Sequence, residues 1–115
     1  MGDTLRVGEE LGAGQSLKSG AYTLTLQDDG NLVLSDPGDN AVWSTATHSQ
    51  GVERAVLQGD GNFVLHTDDG SAWSTETDGK DADRLVLQAD GNLVLFGKDD
   101  NSLWASDTGT PIAAG

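Results

Sequence analysis

An all-β fold is predicted from three observations. A block of alternating residues recurs three times, with its glutamines 31 and 30 positions apart. The alternation within each block has a period of two and uses Leu, Val, Thr and Phe, residues that suit a pleated, half-buried surface. Each block is broken at the same place by Asp-Gly-Asn, a turn signal. A repeat of this length indicates supersecondary units that share one core, as in a solenoid, a propeller, or a threefold prism or barrel.

The first block is Leu24-Thr25-Leu26-Gln27-Asp28-Asp29-Gly30-Asn31-Leu32-Val33-Leu34 and reads as two strands around a turn. Its register depends on the loop. A two-residue loop, Asp29-Gly30, would set Gln27 opposite Leu32 and mix polar with apolar side chains on one face. A three-residue loop, Asp28-Asp29-Gly30, closes as a type I turn with Gly30 in the left-handed conformation. Gln27 then faces Asn31, Thr25 faces Val33 and Thr23 faces Ser35, while Leu26 with Leu32 and Leu24 with Leu34 line the inner face. The same choice in the second block, Ala55 to Leu65, pairs Leu57 with Phe63, and in the third, Leu85 to Leu95, pairs Leu87 with Leu93. The three-residue loop is therefore predicted throughout. It presents Gln, Asn and Val to water on one strip, with an Asp at the loop beside them.

After each block comes a tryptophan with small polar residues behind it: Trp43-Ser44-Thr45, Trp73-Ser74-Thr75 and Trp104-Ala105-Ser106. Even placement in a chain with few other aromatics makes these the expected centre of the core rather than exposed stacking platforms.

The totals bound the rest. A chain of 115 residues fits one domain, taken as 1–115. A net charge of -13 repels phosphate backbones and anionic membrane surfaces, so nucleic acid is excluded as a partner, and no apolar run approaches the roughly 20 residues of a spanning helix. Without cysteine there is no disulfide and no thiol chemistry. Met1-Gly2-Asp3 begins neither a basic nor an apolar leader, so no targeting signal is read there. Asp28-Asp29-Gly30-Asn31 lacks the spacing and terminal Glu of a calcium loop, and no metal or cofactor is expected. Adjacent acids such as Asp68-Asp69 and Asp99-Asp100 do not make a glycosidase pair, since neighbours on a strand point to opposite faces; no enzyme is expected.

The three blocks resemble the Gln-x-Asp-x-Asn-x-Val-x-Tyr motif of the bulb-type, or monocot mannose-binding, lectins, and the resemblance runs from about Thr4 to about Gly109 with the three Trp included. It implies a β-prism (β-prism II) of three four-stranded antiparallel sheets about a pseudo-threefold axis, with a sugar site on each sheet. By that resemblance Gln27, Gln58 and Gln88 would bond a sugar 3-hydroxyl. Asp29 with Asn31, Asp60 with Asn62 and Asp90 with Asn92 would hold the axial 2-hydroxyl, and Val33, Val64 and Val94 would touch ring carbons. A site that hydrogen-bonds one hydroxyl rejects the epimer lacking it there, because its polar groups are left unpaired, so mannose or mannose-rich glycans are the expected partners. A neutral sugar also needs no countercharge.

The motif's closing Tyr is absent from all three blocks, its places being taken by Ser35, His66 and Phe96. In the family that hydroxyl bonds the sugar 4-hydroxyl; its loss costs about 0.5–1.5 kcal/mol per site. His66 keeps a ring N–H and is expected to be the best-retained replacement. Weak single sites imply multivalent binding. The resemblance further implies a secreted or extracellular protein and a homodimer, with Leu103 to Thr108 as the candidate strand for exchange between protomers. The rival reading is a prism that has lost sugar binding and serves as a structural or protein-interaction module.

Overall fold

The computed structural model describes residues 2–108. The chain first lays down three short strands, β1 (Thr4–Arg6), β2 (Glu10–Gly12) and β3 (Ser16–Ser19). Each carries one fully buried leucine, Leu5, Leu11 and Leu17, and each joins a different sheet. Three strand triplets follow: β4 (Tyr22–Leu26), β5 (Leu32–Ser35) and β6 (Ala41–Ser44); β7 (Arg54–Leu57), β8 (Phe63–Thr67) and β9 (Gly70–Ser74); β10 (Ala82–Leu87), β11 (Leu93–Gly97) and β12 (Ser102–Ala105). The three sheets run β3-β4-β5-β6, β2-β7-β8-β9 and β1-β10-β11-β12, all antiparallel. This is the expected prism of three four-stranded sheets, in which the strands of each triplet pair locally and the N-terminal run gives one strand to each sheet.

The hairpins take the three-residue loop. Leu26 pairs with Leu32, Leu24 with Leu34, Thr25 with Val33 and Thr23 with Ser35. Leu57 pairs with Phe63 and Leu87 with Leu93. In each turn the Gln N–H donates to the Asn carbonyl at 2.8–2.9 Å, and the Gly N–H donates to the Gln carbonyl at 2.9–3.0 Å. Gly30, Gly61 and Gly91 adopt φ of 91°, 93° and 89°, a region closed to most side chains. The turns are also wedged against neighbouring segments: a Cβ on Gly61 would collide with the Lys80 carbonyl, and one on Gly91 would meet the Tyr22 ring at 2.5 Å.

Alternation fills the interior with matching rows. Leu17, Leu24, Leu34 and Trp43 lie side by side across one sheet, Leu11, Ala55, Leu65 and Trp73 across the second, and Leu5, Leu85, Leu95 and Trp104 across the third. All nine residues inward of the Trp in these rows are fully buried. In every sheet the register shifts just before the Trp, leaving Val42, Ala72 and Leu103 as the extra residue of a bulge, and the third sheet shifts again between Ala82 and Arg84. A bulge adds local twist and re-aims the side chain beside it. The three indoles meet edge to face around the pseudo-threefold axis, with ring centroids 5.5–5.7 Å apart. That geometry sets the positive edge of one ring against the negative face of the next.

Candidate functional site

The same alternation that buries leucine sends Gln, Asn and the residue two beyond Val to the outer face of each sheet. The turn Asp lies at one end of this strip. In all three copies its Oδ1 accepts from the Asn N–H two residues on at 2.9 Å, for Asp29 and Asn31, Asp60 and Asn62, Asp90 and Asn92. One carboxylate oxygen is thus fixed by the backbone, and the residue stays exposed.

The Asn side chain is held from the opposite direction. Asn31 Oδ1 accepts from the Thr45 hydroxyl at 3.3 Å and from the Thr47 N–H at 3.2 Å. Asn62 is held in the same way by Thr75 and Thr77, and Asn92 by Ser106 and Thr108, at 3.2–3.3 Å. With its oxygen occupied twice, each amide has only its Nδ2 donors left to offer a ligand. An acceptor-only carboxylate and a donor-only amide then lie side by side, a pair that fits one hydroxyl acting as both donor and acceptor.

This orienting network was not anticipated. The first hydroxyl also accepts the N–H that follows the Asn (Leu32, Phe63, Leu93), and the second donates to the turn-glycine carbonyl at 2.7–2.8 Å. Its sequence signal is the thrice-repeated hydroxyl-x-hydroxyl spacing behind each Trp: Thr45-Ala46-Thr47, Thr75-Glu76-Thr77 and Ser106-Asp107-Thr108. The middle residues take positive φ of 55°, 56° and 58°, which turns both hydroxyls toward the hairpin. Thr77→Val is expected to lower stability by about 1–3 kcal/mol, because the Gly61 carbonyl loses its buried donor, as measured by urea unfolding.

The valines depart from expectation. Val33, Val64 and Val94 are only 7%, 5% and 4% exposed, so they do not form an apolar patch open to water. Each sits on a central strand of its sheet and is flanked in register on both sides: Val33 by Thr25 and Ser44, Val64 by Val56 and Ser74, Val94 by Val86 and Ala105. They therefore offer little area for ring contact.

The three strips differ at Ser35, His66 and Phe96, the residues two beyond each Val. Ser35 lies beside Thr23 on the first sheet. On the second, His66 Nε2 is 2.8 Å from the Gln58 amide. Oriented to satisfy both neighbours, Gln58 accepts from His66 through its oxygen and donates to the Asp60 carboxylate at 3.2–3.3 Å. The ring N–H of His66 is therefore already used within the strip. On the third, Phe96 is covered by Arg84, whose guanidinium carbon lies 4.8 Å from the ring centroid. Arg84 is clamped by Asp83 and Asp100, each at 2.9 Å, and these hydrogen bonds, Asp100 first, raise its pKa above the ordinary value. Gln27 is exposed, and Gln58 and Gln88 are half-buried.

Comparison with known proteins gives a consistent picture. No family model matches the chain. Curculin-2 of Molineria latifolia is 43% identical over 63 residues, covering 54% of this chain and 39% of its own length. The next curated relatives are mannose-specific lectins, of whose length the chain matches 36–55%, so the chain spans only about half or less of the relatives it matches. Among solved structures, a monomeric monocot mannose-binding lectin from Gastrodia elata superposes with a TM-score of 0.88 at 37% identity, covering 94% of this chain and 99% of its own. A lectin from Mycobacterium smegmatis, described as a domain-swapped dimer, is 56% identical and covers 92% of this chain and 100% of its own, yet its TM-score is 0.56.

Proposed function

Because the chain belongs to the monocot mannose-binding, or bulb-type, lectin family, we propose that its three outer strips bind mannose or mannose-rich glycans, without catalysis. The observation that carries this is the oriented Asp–Asn pair, built three times with the Asn oxygen withdrawn and the Nδ2 donors left over. An axial hydroxyl placed between them satisfies both groups. An equatorial one at the same carbon leaves both unpaired, which favours mannose over its 2-epimer glucose.

Each strip lacks the phenol and has a buried Val floor, so single sites are shallow, and useful affinity comes from several sites engaging one branched glycan. Such glycans are displayed outside cells, and an extracellular setting belongs to the same proposal. Calorimetric titration with methyl α-mannoside and with branched oligomannose tests it. Binding of the mannoside at millimolar concentration, with tighter binding of the branched glycan, is expected; silence with both would favour a structural or protein-interaction module instead.

A homodimer is the second part of the proposal. The 56% identical mycobacterial relative superposes less well than a 37% identical one, and the former is described as domain-swapped. In the present chain β12 pairs with β11 of its own sheet and carries Trp104 into the central triangle. Leu103 to Thr108 can make those same contacts in a second copy if the Lys98–Asn101 connection opens, because exchange replaces each contact with its equivalent. Light scattering on eluted protein distinguishes dimer from monomer.

A further inference from the structure

We propose that Arg84 is a specificity-determining residue of the third strip, supplying hydrogen-bond donors to the edge of the sugar ring opposite the Asp90–Asn92 pair. The inference rests on the lectin reading and deepens it. Along β11, Val94 lies two residues from Asn92 and Phe96 two residues further, about 7 Å per step. A pyranose over Val94 with its 2-hydroxyl at Asp90 and Asn92 therefore points its 4- and 6-hydroxyls toward Phe96. Arg84 is the cross-strand partner of Phe96 on that same outer face, and its guanidinium lies 4.8 Å from the ring centroid.

The fork is held in place. Nη1 donates to Asp83 and Nη2 to Asp100, both at 2.9 Å, and the aromatic ring supports one face of the plane. Two hydrogen bonds use two of five N–H groups, and the side chain is 25% exposed, so donors remain for a ligand. The two aspartates more than offset the guanidinium charge, and a fixed donor array suits a neutral hydroxyl. The other strips are built differently at the matching positions: on the first Thr23 adjoins Ser35, and on the second Arg54 faces His66, which is committed to Gln58.

The test reads each strip separately through the side-chain amide NMR signals of Asn31, Asn62 and Asn92, titrated with methyl α-mannoside and its 4-deoxy and 6-deoxy analogues. Deletion of the contacted hydroxyl is expected to weaken binding at Asn92 by roughly two- to ten-fold. In Arg84→Met that deletion is expected to have no further effect at Asn92, while Asn31 and Asn62 titrate as before. Arg84→Lys, which keeps the charge and loses the fork, is expected to recover only part of the affinity; it also serves if Arg84→Met does not fold. Unchanged or tighter binding at Asn92 in either variant, with Asn31 and Asn62 responding normally, overturns the role of Arg84 alone. Loss of response to mannoside at all three amides in the unmodified protein overturns the lectin reading and this inference together.

Discussion

Trp73→Ala is expected to lower stability by about 3–5 kcal/mol, read as a fall in the urea midpoint at unchanged slope. Trp73 is half-buried and touches both other indoles edge to face at 5.6 and 5.7 Å, so truncation removes two aromatic contacts and leaves a gap against the core where all three sheets meet. Such ring pairs contribute about 0.5–1.5 kcal/mol each beyond their buried area. The neighbours do not collapse readily into the gap, because Leu65 and Leu11 are fully buried in the same row and fixed by strand pairing. A domain of this size has about 5–15 kcal/mol in total, so this one change removes a large share. Trp73→Phe, which keeps a ring in the triangle, is expected to cost distinctly less.

The second large effect separates binding from folding. In the triple variant Asn31→Asp, Asn62→Asp and Asn92→Asp, each new side chain keeps an oxygen where Thr45 and Thr47, or their counterparts, donate. The Nδ2 donors become acceptors beside an existing Asp carboxylate. A sugar hydroxyl then meets two acceptors and no donor. Mannoside affinity is expected to fall by about 1.5–3 kcal/mol per strip, roughly ten- to a hundred-fold, while the hydroxyl network persists. Circular dichroism reads retention of the fold, and calorimetry reads the loss of binding. Full affinity in the folded triple variant would place binding away from the strips.

Much of this architecture is legible in the chain itself, because period-two alternation and turn geometry are local and repeat three times. Gln27, Gly30 and Asn31 specify the loop, the loop specifies the register, and the register sends Leu24, Leu26, Leu32 and Leu34 inward. The fourth strand of each sheet was not legible. β1, β2 and β3 are too short to show alternation, and their only mark is a leucine every sixth residue, at Leu5, Leu11 and Leu17, one for each sheet.

The site was read less completely, since its details depend on contacts distant in sequence. The burial of Val33, Val64 and Val94 follows from flanking strands that alternation within one strand does not reveal. Thr45 and Thr47 act on Asn31 from 14 and 16 residues away, and read in sequence they are only small polar residues behind a Trp. His66 has the right chemistry to donate a hydrogen bond, but the recipient in the structure is Gln58.

The most direct test of the account is a crystal structure of the protein soaked in methyl α-mannoside. The account predicts sugar on at least one outer face, its axial hydroxyl within hydrogen-bonding distance of both the Asp carboxylate and Asn Nδ2. Sugar seated elsewhere, or three empty strips at saturating concentration, would contradict it.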